Sequence, residues 1–237
     1  MAMEFSGLAD AGVSFLARCG AAGGSSPSLI DVASNTRRNP ASVEQRVILL
    51  AVMSAVPQVG GEAVRRIRRE EWARIVAAGL FEGERLELLE GAIVPMSPQN
   101  AEHAYSVHRL FERLVAALAG VAMVRCQAPL GLGDVSEPEP DLAVVPVGDY
   151  RHTHPALALL VIEVAASSLQ KDLELKAALY ARAGVPEYWV VNLVDRVVQV
   201  HREPKSGGYG QISRRASGDV VTATSVAFSV PVDDVLP

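Results

Sequence analysis

Cysteine is scarce: the chain of 237 residues has two, Cys19 and Cys126. Two thiols cannot build a disulfide framework or a cysteine-rich zinc site, and a reducing cytosol is the expected compartment. Aromatic residues make up 5% of the chain, so the core has to rest on Leu, Val, Ala and Ile. Positive charge is not in excess. The formal net charge is -5, which leaves no nucleic-acid footprint at the level of the whole chain. A local basic patch stays open, because metal-binding acids inflate the negative count. The apolar run Val47–Val56 is too short to span a bilayer. No basic stretch followed by an apolar one opens the chain, so no signal peptide is expected. Gly131-Leu132-Gly133 lacks the following helix and lysine of a phosphate loop, and no Gly-x-Ser-x-Gly elbow occurs.

What is present divides near residue 62. Residues 1–62 hold small residues, a Gly/Ser cluster at 20–27 and Arg37-Arg38-Asn39-Pro40, and read as a poorly ordered extension. Residues 63–237 are periodic. Glu70–Ala78 reads as a helix stopped by Gly79, and Ala92–Met96 as a strand. Ala101–Leu118 reads as an amphipathic helix with Val107, Leu110, Phe111, Leu114, Val115 and Leu118 on one stripe. Strands are expected at Val121–Gln127, after Asp141, around Glu163, and at Glu187–Asn192 and Val197–Arg202, with a helix over Leu169–Ala183. This order implies an α/β fold, a mixed sheet with helices packed on it.

Glu163 lies inside the apolar strand Leu159-Leu160-Val161-Ile162-Glu163-Val164-Ala165. An ionised carboxylate there costs several kcal/mol unless it is compensated. About twenty residues upstream, Asp141 opens another apolar strand. Side chains alternate across a strand, so pairing of the two can aim Asp141 and Glu163 at one point. Two such carboxylates suit a hard divalent ion and phosphodiester chemistry. Taken singly, Asp141 also fits a turn residue after Pro140, and Glu163 an interior ion pair. Glu87 can supply a third carboxylate or be a solvated helix-end acid. Lys176 can lean toward the site from its helix, or pair with Asp172 at the surface, four residues away.

Six blocks of sequence, in order, carry a resemblance. They are Arg85–Gly91, Met96-Ser97-Pro98, Glu102-His103, Glu139-Pro140-Asp141, Val161–Val164 and Tyr180–Val191. Over residues 64–237 the chain resembles the Uma2-type endonuclease family, also called DUF820, within the PD-(D/E)XK nuclease superfamily. The resemblance implies a restriction-endonuclease-like α/β core, dependence on Mg²⁺ or Mn²⁺, DNA as substrate and a homodimer. It carries over Glu87, Asp141 and Glu163 as metal-site acids and Lys176 as the catalytic lysine. The chain departs from the superfamily pattern at position 165, where Glu-x-Lys would place lysine and Ala165 stands. A catalytically inactive nucleic-acid-binding or regulatory protein on the same fold is the alternative.

Other residues are read more plainly. His103 is either a phosphate or metal-site contact or a helix-start histidine with a structural bond. His152 and His154 lack a third ligand nearby in sequence. His108 and His201 read as solvated, and Tyr188 and Trp189 as core anchors. Arg65-Arg66-Ile67-Arg68-Arg69 can touch a DNA backbone, but Glu70 and Glu71 follow it directly, as on a solvated face.

Overall fold

The computed structural model describes residues 58–59 and 62–237. The expected extension thus lies almost wholly outside the described residues, together with Val47–Val56 and Cys19. A short hairpin pairs β1 (Gln58–Val59) with β2 (Glu62–Ala63). Helix α1 (Arg69–Ala77) follows, and Gly79 beyond it takes a φ of 69° that favours glycine. Next comes the hairpin of β3 (Leu86–Leu89) and β4 (Ala92–Pro95). Its two-residue turn, Glu90-Gly91, has positive φ at both positions, as the twist of such a hairpin requires. Glu87 therefore stands on a strand and not at a helix end.

Helix α2 spans Ala101–Leu118, the range the periodicity predicts. Asn100 caps it by accepting the His103 N–H at 2.8 Å. Val107, Leu110, Leu114 and Leu118 are buried, whereas Phe111 is half-buried and Val115 exposed, so the buried stripe is narrower than expected.

The remaining chain builds a sheet of six strands in the order β10-β9-β8-β7-β6-β5. These are β5 (Met123–Cys126), β6 (Leu142–Val145), β7 (Leu160–Ala165), β8 (Glu187–Asn192), β9 (Val197–Lys205) and β10 (Gly208–Arg215). Only β7 and β8 pair in parallel, so the mixed sheet expected from the element order is what is seen. A parallel step needs a crossover. Here α3 (Leu169–Lys171), a π-helical turn (Asp172–Lys176) and α4 (Ala177–Arg182) supply it. Two small strands, β11 (Val220–Thr222) and β12 (Ser229–Pro231), form a hairpin.

Each face of the sheet has its own core. On one face α2 packs Leu110 and Leu114 with Leu142, Ile162, Val164 and Trp189. On the other, α4 packs Leu179 and Tyr180 with Ala143, Val161, Ala165 and Tyr188. Tyr188 and Trp189 are thus core anchors, one for each face. His201 is buried too, which corrects the solvated reading: β10 lies outside β9, and on the sheet face the ring packs against Tyr188 and Tyr209.

Candidate active site

The register of β6 and β7 fixes the first two acids. Leu142 pairs with Ile162, so Asp141, one residue earlier, lies opposite Glu163 on the face that α4 covers. Backbone N–H groups of the two strands hold both carboxyls. The Asp141 N–H donates to Glu163 Oε2 at 3.4 Å, and the Val164 N–H donates to Asp141 Oδ2 at 2.8 Å. Both acids are buried, and both line a cavity of about 330 Å³ with Glu87, His103, Asp172 and Lys176.

Lys176 comes from the π turn, and its Nζ donates to Glu163 Oε1 at 2.9 Å. The reading of Asp172 and Lys176 as a surface pair fails, because both are buried. Glu87 reaches in from β3. Lys176 Nζ stands 3.0 Å from its Oε2, and Lys171 Nζ 2.9 Å from its Oε1. The fold therefore brings together all four residues singled out in the sequence: Glu87, Asp141, Glu163 and Lys176.

Three neighbours were not assigned from sequence. Tyr180, fully buried on α4, donates its hydroxyl to Glu163 Oε1 at 2.8 Å. Asp172 adds a fourth buried carboxyl, and Lys171 a second ammonium. A tyrosine inside an apolar helix face was the available signal for Tyr180. His103, weighed in both ways, lies at the site: its Nε2 is 3.1 Å from Asp141 Oδ2. A carboxylate only accepts, so that proton sits on Nε2, and Nδ1 is buried without a partner.

Burial pushes the Glu163 carboxyl up to about 8, against the pull of the Lys176 ammonium, with Asp172, Asp141 and Glu87 adding to the rise. Burial alone would lower Lys176. The carboxylates of Glu163, Glu87 and Asp172 outweigh it and hold the ammonium above its usual range. Burial likewise raises Asp172. Acids outnumber amines here, an imbalance that a proton or a cation relieves.

The donor set fits a hard divalent ion. Among the described residues Asp141 Oδ1 accepts no hydrogen bond, and Glu163 Oε2 takes only the long bond from Asp141. One or two carboxylates plus water and phosphate are what Mg²⁺ uses. Among the described residues no three His, Cys, Asp or Glu side chains gather into a ready-made cage, so any ion here depends largely on water and substrate oxygens.

The other candidates lie elsewhere. His152 and His154 are exposed, and His154 faces Glu137 at 3.7 Å. His108 is exposed beside Glu112. Arg65, Arg66 and Arg69 of the basic run pair with Glu71, Glu90 and Glu137. Cys126 is a free, exposed thiol. Among the described residues no helix is long and apolar enough to cross a membrane.

The Uma2 family model, described as "Putative restriction endonuclease", matches residues 70–233. A crystal structure of a putative nuclease belonging to DUF820, from Anabaena variabilis ATCC 29413, superposes with a TM-score of 0.53 at 15% identity. The match covers 63% of this chain and 88% of that one, and it shows a shared fold. No curated protein matches.

Proposed function

The chain belongs to the Uma2 family, and from that membership we propose that it is a Mg²⁺-dependent endonuclease hydrolysing phosphodiester bonds in DNA. The observation that carries the reading is the Asp141–Glu163 pair set opposite each other across β6 and β7, with Lys176 bonded to Glu163. Asp141 and Glu163 would hold the ion, and Glu87 lies beside them in the same cavity. A divalent ion there would lower the pKa of water and offset charge on the phosphate. Lys176, kept as an ammonium, is not a base. It donates hydrogen bonds that position the attacking water, and its charge counters the charge that develops on the phosphate. Val164 and His103 fix the Asp141 carboxylate, and Tyr180 fixes that of Glu163. Mn²⁺ meets the same oxygen preference.

Purified protein is expected to nick plasmid DNA with Mg²⁺ or Mn²⁺ and to stop when the ion is chelated. Asp141→Ala is expected to lose at least about a hundredfold of that activity with its circular dichroism unchanged. Full activity in that variant sinks the assignment. Alanine at position 165 favours the second reading, a protein that binds nucleic acid without cutting it. Binding without ion-dependent nicking in the same assay would establish it. The homodimer implied by the resemblance is tested by sedimentation equilibrium.

A further inference from the structure

The family resemblance carries Glu87 as an ion ligand, but its surroundings point elsewhere. Its side chain is fully buried. Oε1 accepts a hydrogen bond from Lys171 Nζ at 2.9 Å. Oε2 lies 3.0 Å from Lys176 Nζ and accepts the Glu139 N–H at 3.3 Å. Each oxygen of Glu87 therefore already faces an ammonium, and Oε2 a backbone N–H as well. A cation on either oxygen would sit beside two ammonium groups.

The backbone explains how two lysines reach one carboxylate. Lys171 and Lys176 are five residues apart. On an α-helix that spacing splays side chains by about 140°. The π turn Asp172–Lys176 bonds residue i to i+5 and so brings residues five apart over one another. Single π turns of this kind are uncommon and recur at functional sites. Lys176 continues inward to Glu163. Lys171 stays at the mouth of the cavity, with 21% of its side chain exposed. Of its three N–H donors, one goes to Glu87 among the described residues. Arg85, also at the mouth, is engaged by Glu139 at 3.1 Å.

We propose that Glu87 is a positioning residue that aims this pair of lysines, not an ion ligand, and that Lys171 meets a phosphate of the substrate strand. The proposal rests on the endonuclease reading above. It divides the acids into two that face the ion and one that organises the amines.

The test uses the full chain, Mn²⁺ alone for calorimetry and a plasmid duplex for cleavage and binding, with thermal melting as a check on folding. Glu87→Gln is expected to bind Mn²⁺ within about threefold of wild type while kcat falls at least about a hundredfold, whereas Asp141→Asn loses Mn²⁺ binding. Lys171→Gln is expected to raise KM about tenfold and to reduce the salt slope of duplex binding by about one. A loss of Mn²⁺ affinity beyond about tenfold in Glu87→Gln overturns the positioning role. An unchanged salt slope in Lys171→Gln overturns the phosphate contact. If Glu87→Gln does not fold, Glu87→Asp keeps the charge but not the reach, and the same Mn²⁺ criterion applies to it. Wild-type protein that neither binds Mn²⁺ nor nicks plasmid overturns the endonuclease reading and this proposal with it, a result distinct from the failure of one variant.

Discussion

His201 packs between the rings of Tyr188 and Tyr209, with centroids 5.5 and 5.8 Å away. Its Nε2 is buried without a hydrogen-bond partner, and burial pushes the imidazole down to about 4. An unfolded histidine titrates near 6.5, so between about pH 6.5 and 4 the unfolded chain holds the extra proton. Stability conferred by the neutral ring is thus complete above about 6.5 and is lost as pH falls toward 4, on the order of 3 kcal/mol in all. His201→Phe is expected to lessen the fall in melting temperature between pH 7 and pH 4.5. An undiminished fall would show that other groups govern the acid limb. The sequence disguised His201 because alternation tells which face a residue takes, not which side chains pack over it there. Glu163 was legible for the opposite reason: a charge among the five apolar residues of its strand has no inexpensive explanation. Glu87 was ambiguous because its short strand is bounded by Glu84-Arg85 and Glu90-Gly91, and it took the hairpin to settle it.

Among the elements, α2 was readable to its last residue, since an asparagine cap, a long apolar stripe and Gly120 all agree. The helix expected over Leu169–Ala183 was found with its bounds nearly right but not its interior. A π turn is invisible to periodicity because one extra residue per turn hardly disturbs the apolar pattern over so short a stretch. Its effect is large all the same, since it carries Asp172 and Lys176 into the buried site. Ala165, on β7 two residues after Glu163, is fully buried on the same face of the sheet as that acid. Delivery of the ammonium from the strand should therefore substitute in part for delivery from the helix. We expect Lys176→Ala to lose at least about a hundredfold in nicking rate, and Lys176→Ala with Ala165→Lys to regain at least about tenfold of it. No recovery in a double variant that melts like wild type would mean that the approach angle of the amine is decisive.

Across the whole molecule, one buried acid unites separate pieces of chain. Glu187 opens β8 and accepts bonds from Trp189 Nε1 at 2.8 Å, Arg202 Nη2 at 2.8 Å and the Thr224 N–H at 2.7 Å. It thereby ties the sheet to the segment joining β11 and β12. Removing one partner of such a buried ion pair leaves the other uncompensated, so Glu187→Ala is expected to cost about 3–5 kcal/mol in urea unfolding. A loss below about 1 kcal/mol would show the network to be ornamental. The groups of the candidate site, too, are drawn from distant pieces: Glu87 from a hairpin, Asp141 and Glu163 from adjacent strands, Lys176 from the crossover after them. The amine is last in line, and the strand that locks its crossover in place, β8, follows it. A nascent chain leaving the ribosome thus holds its acids before it holds its lysine. On the endonuclease reading, a fragment released before residue 176 would carry the acids without the amine and so would be unable to cut.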